Sequence, residues 1–384
     1  MIRSLISKAS LSSSSRLTIR QCNPMRASSS LPPRKERFFP SSEYPTDTMI
    51  QRQNSSAAAT DDSNTPNTIQ FEKVAFLGTG KMAQAIMSPL IQTGLQPAEK
   101  VSIFDVSVAQ MKQASEQNPG VVMAQSIPEL VDGADLLVCA VKPQNITEGL
   151  CSELRKANIP ENATLLSVIA GLPLDMYYAT GYQKIVRSMP NTPAMIGRGM
   201  TVWCCTENMT VNERDGINQV LGCLGKTIFV DEEKYVDMST SISGSGPAYI
   251  FMLMEAMIDA GVHMGFPRDK ATTLVYHTLL GSTLYAMETG EHPAILRNNV
   301  TSPSGTTASA LYELENGRFR TVIKDAMWAC YRRSLEMGGH ESNVGPGRAP
   351  VPEGRVIQQF LDDHDDLKVS IQKKGDASDH EPKM

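Results

Sequence analysis

Between Lys73 and Val230 short apolar runs alternate with amphipathic stretches, and this alternation constrains the possible folds more than any other feature. Residues 73–77, 101–104, 121–124, 135–141, 164–169, 184–186, 200–204 and 227–230 read as strands. Residues 82–91 and 211–221 have helical spacing, and a further helix runs to Glu116. Near-continuous apolar strands imply burial on both faces. Strand, helix, strand, repeated in this way, predicts a parallel sheet covered by helices on both sides.

The first strand-to-helix turn is Gly78-Thr79-Gly80-Lys81-Met82-Ala83. It has the G-x-G-x-x-A spacing of a dinucleotide fingerprint. Gly78 permits a tight turn, Gly80 lets a pyrophosphate approach the backbone, and Ala83 is small enough for close packing of helix on strand. The helix start then offers free N–H groups and a partial positive charge to phosphates. Asp105 ends the second strand, with Val106, Ser107 and Val108 after it and no Arg beside it. A carboxylate there hydrogen-bonds ribose hydroxyls and repels a 2′-phosphate, which favours NADH; the alternative is that Asp105 caps the next helix. Ala140-Val141-Lys142-Pro143 closes the fourth apolar run. Strand ends of this kind line the ligand crevice of a doubly wound sheet, so Lys142 either faces ribose and phosphate oxygens or is a solvated turn lysine.

From Ser241 the alternation stops and the pattern becomes helical throughout. Pro247 and Pro267 each open a helix, at 247–260 and from 267 to Gly290. A short helix follows at 293–297, another from Ser302-Pro303 to Gly317, and a last one at 319–338. The Met-rich first helix reads as a packing surface. So much apolar surface in five helices predicts a bundle that also buries against a partner chain. Ser302 reads as an N-cap, with Pro303 at the first helical position. The small polar run through Ser304, Gly305, Thr306 and Thr307 leaves the first N–H groups open to a carboxylate or phosphate; an ordinary capped helix is the alternative.

The ends differ from this core. From Met1 to Lys35 there is no Asp or Glu, but seven Arg or Lys and two serine runs. Such composition is that of a mitochondrial or chloroplast transit segment, against a cytoplasmic protein with a plain polar tail. Residues 36–69 read as linker and 340–384 as a solvated tail. The expected organisation is thus a segment 1–69, a dinucleotide-binding domain 70–236, a helical domain 237–339 and the tail. The formal net charge of −5 argues against a nucleic-acid binder. No apolar run is long enough to span a bilayer. Seven Cys, of which Cys204 and Cys205 are adjacent, and six scattered His, without Cys-x-x-Cys or His-x-x-x-His, give little support for a metal site.

Six motifs occur in a fixed order: residues 78–83, 140–143, 187–193 (Arg-Ser-Met-Pro-Asn-Thr-Pro), 243–249 (Ser-Gly-Ser-Gly-Pro-Ala-Tyr), 291–293 (Glu-His-Pro) and 299–307. In them the chain resembles the pyrroline-5-carboxylate reductases over about residues 71–338. The resemblance implies an α/β Rossmann-type N-terminal domain and an all-α C-terminal dimerisation domain. It implies reduction of 1-pyrroline-5-carboxylate to L-proline with NADPH or NADH, the last step of proline synthesis, by interlocked homodimers that stack into decamers. It places the substrate carboxylate on Ser302, Gly305, Thr306 and Thr307, with Thr307 reaching the imine nitrogen. It places the cofactor over Gly78, Thr79, Gly80, Lys81, Met82, Ala140, Val141, Lys142, Pro143, Ala170 and Asn299. Ser304 and Asp105 depart from the family, where Gly and a phosphate-tolerant residue are common. A β-hydroxyacid oxidoreductase of similar layout would need a Lys on the helix at 247–260, which has none. A non-catalytic dinucleotide-binding regulator would have no need of Thr307.

Overall fold

The computed structural model describes residues 71–348. The transit, linker and most of the tail expectations lie outside the described residues.

Eight strands form one sheet in the order β3-β2-β1-β4-β5-β6-β7-β8. They are β1 Val74–Leu77, β2 Val101–Phe104, β3 Val122–Met123, β4 Leu136–Cys139, β5 Thr164–Ser167, β6 Lys184–Met189, β7 Gly199–Cys205 and β8 Gly225–Phe229. All neighbours are parallel except β6 and β7. Reversal of order at β1 makes a topological switch point between β1 and β4. The helices of this domain are α1 Lys81–Gln92, α2 Val108–Gln117, α3 Ile127–Val131, α4 Glu148–Lys156, α5 Leu174–Tyr177 and α6 Val211–Gly222. They cover two apolar layers. One includes Phe76, Ile86, Ile103 and Val138; the other includes Leu77, Leu137, Leu165 and Tyr177. Alternate residues of the same strands feed opposite faces, as the two-residue repeat of a strand requires.

Helix α7 (Lys234–Ser239) spans the expected domain boundary at 236/237 and runs into a π-turn, Thr240–Gly244. Its hydroxyls bond backward along the chain, Ser239 Oγ and Thr240 Oγ1 to Val236 O, and Ser241 Oγ to Met238 O. The helical domain follows as α8 Gly246–His263, α9 Arg268–Thr289, α10 Pro293–Asn299, α11 Thr306–Asn316 and α12 Phe319–Met337. Gly290 ends α9 in the left-handed region, as its position in the sequence predicts. Residues 340–345 are not a free tail. The chain turns back along α12, where Arg332 Nη1 donates to Val344 O and Gly345 sits against the Trp328 ring.

Arg187 on β6 joins the sheet to the helices. It is 1% exposed, and its Nη1 and Nη2 donate to the Asp237 carboxylate at 3.0 and 2.6 Å. Nη1 also donates to Glu233 at 2.6 Å, and Ser334 Oγ on α12 donates to Asp237 at 2.8 Å. Burial disfavours the guanidinium charge. The hydrogen bonds to Asp237 and the charges of Asp237 and Glu233 outweigh that, so the pKa is raised. Truncating one partner leaves the other buried and uncompensated. Asp237→Ala should therefore cost about 3–5 kcal/mol in denaturant unfolding at fixed protein concentration. Arg187→Met/Asp237→Leu should lose less than Asp237→Ala alone, and a larger loss would contradict this account.

Candidate active site

The glycine loop closes the switch point. Gly78 has φ 93°, and a Cβ there would lie 2.9 Å from the Ala140 carbonyl oxygen. The ends of β1 and β4 can meet only because residue 78 has no side chain. Gly80 is the N-cap of α1 with no side-chain cap, and nothing lies within 4 Å of the place its Cβ would take. Open space beside unbonded helix N–H groups suits a pyrophosphate, so these residues fit a dinucleotide. The cleft has a volume of about 890 Å³, and its walls include Gly78, Gly80, Asp105, Ala140, Val141 and Lys142.

The remaining cofactor candidates of this domain, Thr79, Lys81, Met82, Pro143 and Ala170, are not among the residues lining the cleft. Thr79 is buried beneath the loop, Lys81 is exposed at the start of α1, and Met82 is half-buried against the core. Pro143 opens a single 3₁₀ turn with Lys142 as N-cap. Ala170 follows β5, next to Gly171, which packs against Met337 at the end of α12. Sequence reasoning missed the part of the wall formed by Thr147, Gly149, Leu150 and Glu153. The available signal was Thr147, whose side chain caps α4 by accepting from Leu150 N.

Asp105 does not cap α2; Ser107 does, accepting from Gln110 N. Asp105 Oδ2 accepts from Thr79 N at 2.8 Å and Thr79 Oγ1 at 3.2 Å, and its Oδ1 accepts from Ser107 N at 2.9 Å. The carboxylate binds the glycine loop to the end of β2.

The substrate candidates form a separate group. Helix α11 starts at Thr306 with Gly305 as N-cap, three residues later than the sequence pattern predicts. Ser302 is not its N-cap. Pro303 instead takes the second place of a turn closed by Gly305 N donating to Ser302 O at 3.0 Å. Pro suits that place as well as the first position of a helix. Ser304 holds φ 61°, at the third place of the turn, where Gly is favoured. A Cβ on Gly305 would strike Ser302 Oγ. The first internal bond of α11 runs from Ser309 N to Gly305 O, so the N–H groups of Thr306, Thr307 and Ala308 remain open. Asn299 ends α10. None of Asn299, Ser302, Gly305, Thr306 or Thr307 is among the residues lining the dinucleotide cleft.

Burial pushes the thiols of Cys139 and Cys204 up to about 12, which makes them packing groups rather than nucleophiles. Among the described residues, no group of His, Cys, Asp and Glu is placed to hold a metal ion. The loop geometry predicts that Gly78→Ala weakens binding of reduced dinucleotide by about tenfold or more, through left-handed strain and the clash at Ala140. Fluorescence titration with NADH and NADPH measures it, and an unchanged Kd for both would refute the role given to Gly78.

Comparison with known proteins gives the same site a family. Residues 233–337 match the model for pyrroline-5-carboxylate reductase dimerisation, and residues 73–171 match that for NADP oxidoreductase, coenzyme F420-dependent. The pyrroline-5-carboxylate reductase of Arabidopsis thaliana is 36% identical over 266 residues, 69% of this chain and 95% of that protein. That of Pseudomonas aeruginosa is 34% identical over 69% of this chain and 96% of its own length. Among solved structures, the Plasmodium falciparum pyrroline carboxylate reductase with NADP bound superposes with a TM-score of 0.63 at 29% identity, covering 71% of this chain and 99% of that one. The Coxiella burnetii enzyme gives 0.61 at 31% identity, covering 69% and 98%. By fold, site and sequence, the chain belongs to the pyrroline-5-carboxylate reductase family.

Proposed function

We infer that the chain reduces the C=N bond of 1-pyrroline-5-carboxylate to give L-proline, with NADPH or NADH as co-substrate. The observation that carries this reading is one chain holding both a glycine-opened dinucleotide cleft and an uncapped α11 terminus with hydroxyls at Thr306 and Thr307. When bound, the reduced nicotinamide supplies the hydride. The open N–H groups of Thr306, Thr307 and Ala308, at the positive end of α11, hold the substrate carboxylate. Ser302 and Thr306 add hydroxyl donors beside them.

Attack at C5 moves the C=N electron pair onto nitrogen, so a nitrogen that is protonated or accepts a hydrogen bond lowers the barrier. Thr307 supplies that bond. Threonines inside α9, such as Thr272 and Thr278, donate to the carbonyl four residues back. In the first turn of α11 no helical carbonyl stands there, which leaves the Thr307 hydroxyl for a ligand. Its acidity is too weak for it to be the proton source, so it polarises and orients, and the proton arrives with the protonated imine or from water.

The cleft and the α11 terminus come together through a second copy of the chain. The helical domain leaves Phe251 58% and Met252 74% exposed, and only Ile258, Ala271 and Val275 form its buried cluster. A face this apolar needs a cover, and a dimer supplies both the cover and the missing half of the site. Dimers stacked into decamers agree with the resemblance, and light scattering reads the mass. Delivery to a mitochondrion or chloroplast is supported by the acid-free stretch from Met1 to Lys35. Residues 1–69 fused to a fluorescent protein should mark one of these organelles, and a diffuse cytosolic signal would overturn that reading. Thr307→Ala should lower kcat by about tenfold or more while the oligomer mass stays unchanged. An unchanged kcat would remove Thr307 from the mechanism.

A further inference from the structure

Asp105 holds more of its hydrogen-bonding capacity in the protein than a ribose-binding carboxylate needs to. An ionised carboxylate has about four acceptor sites. Three are filled from within the chain, two by Thr79 through its N–H and its hydroxyl, and one by Ser107 N–H. One site is left, in a residue that lines the dinucleotide cleft. Thr79 itself is 1% exposed and cannot swing away.

We propose that Thr79 and Asp105 act as one unit that selects NADH over NADPH, on the reading that the chain is a reductase of this class. The remaining acceptor site accepts a hydrogen bond from a ribose 2′-hydroxyl. A 2′-phosphate offers no such donor and brings a second negative charge. A free aspartate could turn away from a phosphate and let it in. This one cannot, because turning would break bonds to a buried hydroxyl and two backbone N–H groups. Thr79 is therefore the positioning residue, acting through Asp105, and Asp105 is the group that meets the cofactor. The surrounding charge agrees. The charged residues of the cleft wall are Asp105, Lys142 and Glu153. Lys142 follows β4, on the opposite side of β1 from β2 and Asp105. Lys81 is exposed on α1 and is not part of the wall. No cation of the wall stands on the Asp105 side to receive a 2′-phosphate.

The test uses the full chain, with NADH and NADPH as probes. Kd for each comes from fluorescence without substrate, and kcat/KM for each from assays with 1-pyrroline-5-carboxylate. The wild type should favour NADH in both. Asp105→Ser should move the ratio toward NADPH by about tenfold or more. Thr79→Val removes only the hydroxyl and should move the ratio in the same direction by roughly threefold or more. Thr79→Ser keeps a hydroxyl and should restore the wild-type ratio. In the double variant Thr79→Val/Asp105→Ser, the Thr79 change should add nothing to the Asp105 change. A wild type that favours NADPH, a ratio unmoved by Asp105→Ser, or a full Thr79→Val effect without Asp105 would each overturn the proposal. A melting curve for each variant separates loss of fold from loss of selection, and Thr79→Ala, which also removes the hydroxyl, carries the test if Thr79→Val does not fold. Cofactor binding without turnover of 1-pyrroline-5-carboxylate would refute the substrate reading, and the Kd ratios would still decide this one.

Discussion

A guanidinium that is almost wholly shielded from water has to be surrounded by acceptors, and Arg187 obtains them from two carboxylates, Asp237 and Glu233. Asp237 and Glu233 come from the segment that leaves the sheet domain, and Ser334, from the last helix, holds Asp237 in place. Glu233 also accepts from Leu174 N, which brings α5 into the same contact. Its cost of desolvation is large enough that the arrangement exists as a whole or fails as a whole. That demand fixes where β6, α7 and α12 can stand relative to one another. Arg187 Nε stays without a partner, a residual cost of the geometry.

The rest of the Arg187–Asn191 strand-end extends the same junction. A Cβ on Gly244 would lie 2.6 Å from Met189 Cε, so the π-turn lies directly on the methionine. Asn191 Nδ2 donates to Ser243 O, and Asn191 Oδ1 accepts from Met200 N, each at 2.9 Å. Two motifs far apart in the chain, 187–193 and 243–249, are thus two sides of one contact. At this junction the domains meet through a charged pair, a glycine on a methionine and an amide bridge.

Much of the sheet domain was legible in the sequence because local signals and tertiary demands agreed there. Residues 73–77 were apolar, ended in Gly78 and preceded a helical period, and they became β1, the loop and α1. Gly78, Gly80, Asp105 and Ala140 to Lys142 meet at the cleft as their spacing implied. What stayed illegible depended on partners distant in the chain. Nothing near Arg187 announces Asp237 or Ser334. Helix α7 is too short and polar to give a period, and β6 continued past Val186 because Arg187 and Ser188 are buried polar residues, which no apolar pattern marks. At Ser302-Pro303 the sequence offered two equally good local solutions, a helix start and a turn. The structure took the turn and placed Ser304 in a conformation that costs about 1–2 kcal/mol for a residue with a Cβ. The role of Asp105 was half visible. Its position implied a ribose contact, but its bonds to Thr79 required knowing how the loop folds back.

The bare faces of α8 and α9 carry a consequence for how stability is understood in this protein. Their apolar side chains reach an apolar environment only when two chains meet, so part of the folding free energy is association free energy. Mass action then governs it: each dilution shifts the balance toward separated chains with unsatisfied surfaces. For such a molecule a melting temperature belongs to a solution at a given concentration, and no single chain possesses one.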